Sequence, residues 1–78
     1  MKNTTQVKIR MNELQKIKKF VDEISRYQEK ILAKSLDGEY CVNAKSILGL
    51  FSLDLEQPIV IEFEDNARIE GFLQPYKA

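Results

Sequence analysis

The spacing of apolar residues changes once near the start of this chain, and that change constrains everything after it. From Gln6 to Met11, apolar and polar residues alternate, with Val7, Ile9 and Met11 on one side. Alternation puts successive side chains on opposite faces, so 6–11 reads as a half-buried strand. Asn12 follows as an N-cap residue, with Gln15 three residues later in the position of a capping-box partner. Beyond it Leu14, Ile17, Val21 and Ile24 repeat at three- and four-residue steps, with Phe20 and Tyr27 on the flank. That spacing predicts an amphipathic helix over 13–27. Lys16, Lys19, Asp22, Glu23 and Arg26 fall on its opposite, solvated face. Strand and helix each have one apolar side, so each needs the other for cover. At 78 residues, the chain reads as a single domain, 1–78, with a modest core.

The rest of the chain supplies more of both kinds. Lys30–Leu36 reads as a second strand with Ile31 and Leu32 at its apolar centre. Asp37-Gly38 is a short hairpin signal, and Glu39–Asn43 returns as a third strand. There Tyr40 and Val42 lie on one side and Cys41 on the other, as a small buried hydrophobe. A short helix is expected over 47–53, and Gln57-Pro58 then breaks the chain. Ile59–Glu64 is a fourth strand with Ile59, Ile61 and Phe63 inward and Glu62 and Glu64 outward. Asp65-Asn66 then caps a last helix through Ala67, Ile69, Phe72 and Leu73, stopped before Pro75. Gly71 costs that helix ~1 kcal/mol relative to alanine. A hairpin with a fifth strand over 68–73 is the competing reading. The order β-α-β-β-α-β-(α), with a hairpin in the middle, is the split pattern of open-faced α+β sandwiches.

Charge and composition exclude several functions. Formal net charge is zero, which gives the whole molecule no electrostatic case for nucleic acid. The charge is nonetheless uneven: residues 1–38 carry nine Lys/Arg and five Asp/Glu, residues 39–78 three and seven. There is no histidine and one cysteine. A Ser-His-Asp triad, a His-ligated metal and an intramolecular disulfide are therefore out of reach, and no cofactor or metal is expected. Glu62 and Glu64 share a strand face, but no nucleophile–base pair accompanies them, so the chain does not read as an enzyme. No apolar run approaches the roughly 18 residues of a membrane span, and no signal-peptide core is visible. Membrane insertion is not expected, and a cytoplasmic location is.

The most informative stretch is 42–53, Val-Asn-Ala-Lys-Ser-Ile-Leu-Gly-Leu-Phe-Ser-Leu. Ser46 stands immediately before an apolar run. A serine there can accept a hydrogen bond from a free backbone N–H one turn in, worth ~1 kcal/mol. Ile47, Leu48, Leu50, Phe51 and Leu53 are more than one face of so short a helix can bury, so some remain at the surface beside the hydroxyl.

This stretch resembles the serine-site segment of the HPr family, the phosphocarrier proteins of the bacterial sugar phosphotransferase system. Members typically read Val-Asn-x-Lys-Ser-Ile-Met-Gly-x-Met-Ser-Leu, so Leu48 and Phe51 are the main departures. The resemblance implies a four-stranded antiparallel sheet with helices on one face and covers 7–64 without a gap. It implies a third helix longer than this chain allows. The shortened one is expected to leave an apolar patch near the C-terminal end, open to a partner or to self-association.

The resemblance also implies that Ser46 accepts phosphate from a regulatory serine kinase. A phosphoserine there places about two negative charges against a helix N-terminus, which tolerates an anion; Lys45 adjoins it. The family's other phosphate sits on a histidine at the start of helix one. Gln15 stands in its place, with Ile17 for the supporting arginine and Lys18 for a proline. A carboxamide has no ring nitrogen to form a phosphoramidate, and without the arginine the phosphate loses its bidentate clamp. Phosphohistidine relay is therefore excluded. Glutamine at this position resembles the catabolite-repression HPr-like branch, which co-regulates a carbohydrate-response repressor. The function expected is a regulatory binding module modified at Ser46. It contacts a serine kinase, a transcription regulator or phosphotransferase-system components through Gln15, Ile47, Leu48 and Phe51. The alternative is a degenerate, self-associating domain in which Ser46 is only a cap; for Gln15 the plain reading is helix capping.

Overall fold

In the computed structural model, which describes residues 3–78, four strands form one antiparallel sheet. They are β1 (Thr4–Ile9), β2 (Ile31–Ser35), β3 (Cys41–Asn43) and β4 (Ile59–Glu64), in the spatial order β1-β4-β2-β3. Three helices, α1 (Leu14–Ile24), α2 (Ile47–Phe51) and α3 (Ala67–Leu73), cover one face, and a 3₁₀ turn (Gln74–Tyr76) ends the chain. The architecture is an open-faced α+β sandwich.

Period-two patterning decides which face is covered. Val7 and Ile9 of β1, Ile31 and Ala33 of β2, and Ile59, Ile61 and Phe63 of β4 are all buried. β4 pairs with strands on both sides, Val7 opposite Ile61 and Ala33 opposite the same residue. The central strand thus carries the apolar bulk, each large side chain contributing about 1.5–3 kcal/mol relative to exposure. The other face has no cover and is polar. There Gln6 Nε2 and Lys34 Nζ both donate to Glu62 Oε1, at 2.7 and 3.0 Å. The Gln6 bond first, then Lys34, holds the Glu62 carboxyl below its usual range.

Several expectations need correction. Helix one is shorter than 13–27 and begins at Leu14; its N-cap is Glu13, without a side-chain cap bond. The Asn12–Gln15 capping box therefore does not form, and Gln15 is the second helical residue. The buried line of α1 is Ile17, Phe20 and Ile24, with Val21 half-buried and Leu14 exposed. Phe20 is central because two helical faces meet there: its ring packs on Phe72 at 5.7 Å and Tyr76 at 5.3 Å. In β2 the inward residues are Ile31 and Ala33, while Leu32 faces the open side opposite Glu62 and Asn43. The β2–β3 loop is longer than a two-residue turn. Ser35 N donates to Tyr40 O at 2.9 Å, leaving 36–39 between them, and only Gly38 takes positive φ. Cys41 is exposed, not buried. It sits on an edge strand opposite Lys34, on the face nothing covers. Tyr40 is also exposed and lies just outside β3.

The C-terminal end is a helix, not a hairpin. Asn66 Oδ1 accepts from Arg68 N and Ile69 N, at 2.9 and 3.3 Å, so the short α3 starts well. The uncovered patch expected there is missing. Ile69 and Leu73 are fully buried, and Phe72 and Tyr76 are half-buried against Phe20 and Tyr27. The chain then clasps the outer edge of β1: Arg10 N donates to Tyr76 O and Ala78 N to Lys8 O. Two turns of helix suffice because aromatic side chains do the work of a longer one.

Candidate functional site

The tight turn after β3 delivers Ser46. Asn43 shapes it: its side-chain oxygen accepts from Lys45 N at 2.9 Å and its carbonyl from Ser46 N at 3.0 Å. Ser46 has extended backbone geometry, and its Oγ accepts from Gly49 N at 3.1 Å. The expected cap is therefore in place. The bond uses one lone pair of the hydroxyl and leaves its proton free to donate. Ser46 is half-buried, within reach of the surface.

α2 has five residues, four of them apolar. At 100° per residue these four span an arc of about 160°, wider than the one neighbour at Leu50 covers. Leu50 faces the core and is fully buried; Ile47 is half-buried; Leu48 is 81% exposed and Phe51 47%. The helix ends before 53, yet Leu53 turns inward and is buried.

Phe51 does not stand alone. With Asn12, Leu14, Ile17, Leu53, Leu55 and Glu56 it lines a shallow cleft of about 300 Å³ between the start of α1 and the segment after α2. Leu14, 54% exposed, is its outer wall. Sequence reasoning placed Leu14 on the buried stripe; as the first residue of α1 it stands outside the cover of the sheet instead.

Of the four partner residues expected, Phe51 lines the cleft and Leu48 stands exposed one helical turn before it. Ile47 packs against the core, and Gln15 is exposed on α1 but does not line the cleft. Lys45 is next to Ser46 only in sequence. Its ammonium donates to the Tyr27 carbonyl oxygen beyond the end of α1, so it is committed to holding the turn against the helix. The groups with displaced protonation lie elsewhere. The Asp37 carboxyl is lowered chiefly by its bond from Ser35, and the Tyr76 hydroxyl is raised chiefly by burial and then by Glu23. Among the described residues no three His, Cys, Asp or Glu side chains gather as a metal site. Nor is any helix among them long and apolar enough to cross a membrane. No known family model matches the chain, and no characterised protein matches its sequence significantly.

Proposed function

We propose that this domain is an HPr-like regulatory binding module of the cytoplasm, modified at Ser46 and docked through the apolar surface beside it. One observation carries the reading. A serine hydroxyl held by a single accepted bond sits at the start of α2, next to Leu48 and Phe51, which are left exposed. Contiguous exposed apolar side chains on a small domain mark interaction surfaces.

In the modification step Ser46 Oγ attacks the terminal phosphorus of a nucleoside triphosphate. The O–P bond forms as the bond to the diphosphate leaving group breaks, and the hydroxyl proton passes to a base of the kinase. The new dianion sits beside the apolar face and changes which partners it accepts. The domain is a substrate and a docking platform, and not a phosphohistidine carrier, since it contains no histidine.

Incubation with an HPr serine kinase and ATP, read by intact mass, tests this. One added phosphate is expected on wild type and none on Ser46→Ala. Unmodified wild type, or equal labelling of the variant, overturns the reading. The second reading, a self-associating domain whose serine is only a cap, uses the same exposed Leu14, Leu48 and Phe51 as its interface. It no longer draws support from the C-terminal end, which is covered. Light scattering that shows a concentration-independent monomer counts against it.

A further inference from the structure

We infer that Gly49 is the positioning residue for the Ser46 hydroxyl: the side chain it lacks leaves the room in which that hydroxyl holds one orientation. The inference rests on Ser46 being the modified group. A Cβ at position 49 would lie 3.3 Å from Ser46 Cβ, 3.3 Å from Ser46 Oγ and 3.3 Å from Val42 Cβ. All three are closer than ordinary van der Waals contact, so something must give.

Val42 is the poorer candidate to move. It is β-branched, stiff at χ1, and fixed in β3 opposite the fully buried Ala33. Ser46 lies in a turn outside the strand, so an added methyl pushes its side chain aside by a few tenths of an ångström and shifts the Oγ that accepts from Gly49 N. Backbone conformation does not explain the glycine, because among the described residues Gly38 alone has positive φ. Helix propensity also argues the other way, favouring alanine by ~1 kcal/mol. Space is what remains. Gly71 is the natural control: it lies inside α3, and a Cβ there meets nothing within 4 Å.

The consequence is chemical as well as steric. With one lone pair of Oγ engaged by Gly49 N–H, χ1 is held, the second lone pair is free to attack, and the proton is free to leave. A rotated hydroxyl still docks with its domain but presents the wrong vector to phosphorus.

The test compares wild type, Gly49→Ala and Gly71→Ala as substrates of an HPr serine kinase with ATP, with thermal unfolding alongside. The expected result for Gly49→Ala is a kcat lower by about tenfold or more with KM within about twofold of wild type, because docking is kept and only the reacting geometry is lost. Gly71→Ala keeps both constants. An unchanged kcat in Gly49→Ala, or a raised KM with kcat kept, overturns the inference. NMR couplings reporting Ser46 χ1 in the wild type give a second arm: one dominant rotamer supports it, and averaging over several overturns it, even where Gly49→Ala fails to fold. Failure of the wild type to take phosphate counts against the modification itself, and the rotamer measurement then still decides whether the hydroxyl is held.

Discussion

α2 and α3 are both short, both capped by a polar side chain and both rich in apolar residues, yet they finish in opposite states. α3 places Ile69, Phe72 and Leu73 at i, i+3 and i+4, on one side. Tyr76 then closes over Phe20 and Phe72, and no large hydrophobic residue of this region is left exposed. α2 places its apolar residues at four of five consecutive positions, buries Leu50 and leaves Leu48 and Phe51 in water. The number of apolar side chains therefore says little about cover. Their angular spread, and what lies across from them, decides it. A helix whose apolar arc is wider than its one neighbour can cover keeps a surface for something else.

Four measurements can break or sharpen that contrast. The largest effect is expected from Phe20→Ala. It removes the ring on which Phe72 and Tyr76 rest and should cost about 3–5 kcal/mol in urea unfolding. A loss below about 1 kcal/mol, within the range of an ordinary substitution, would mean that the aromatic cluster does not close the C-terminal end.

Next come the caps. Ser46→Ala and Asn66→Ala should each destabilise by ~1 kcal/mol, because both oxygens satisfy backbone donors of the first turn. A clearly smaller cost at Ser46 would show that α2 is held by Leu50 alone, and would shift the weight on that hydroxyl from structure to chemistry.

A smaller, pH-dependent effect distinguishes the two ends. Burial raises the Tyr76 hydroxyl above its ordinary value. The folded state thus keeps the proton longer than the unfolded one. Its contribution is complete below the ordinary tyrosine range and is lost as pH rises through the raised folded value. Stability should fall at alkaline pH, and less steeply in Tyr76→Phe. Equal slopes would sink the argument.

The smallest effect belongs to Leu48→Ala, expected within about 0.5 kcal/mol of wild type, since Leu48 touches little. The same substitution should weaken partner binding if the proposed docking surface is right. A large stability loss would instead place Leu48 in a packed core.

Much of this was legible beforehand, and particular residues show why. Val7 and Ile9, the alternation of β4, and the caps at Ser46 and Asn66 all depend on neighbours within a few positions, so local spacing reveals them. What misled was anything settled across the fold. Cys41 looked like a core residue because strand alternation does not say which face is covered. Asn12 and Gln15 matched a capping box, yet α1 begins at Leu14, where Glu13 takes the cap position and the motif falls out of register. Lys45 looked like a neighbour of the Ser46 hydroxyl, but its ammonium finds a carbonyl 18 residues away in the chain.

From its residues alone the protein discloses the order of its elements, the inward side of β1 and β4 and the serine that starts its second helix. Each of these follows from backbone geometry and hydrogen bonds that close over short distances. Only the folded chain decided that Phe20 is the hub, that the C-terminal end is sealed by aromatic rings, and which of the apolar residues of α2 stay exposed. Burial depends on what packs opposite a side chain, and that partner is brought there by the sheet and its crossovers, not by the next residue along.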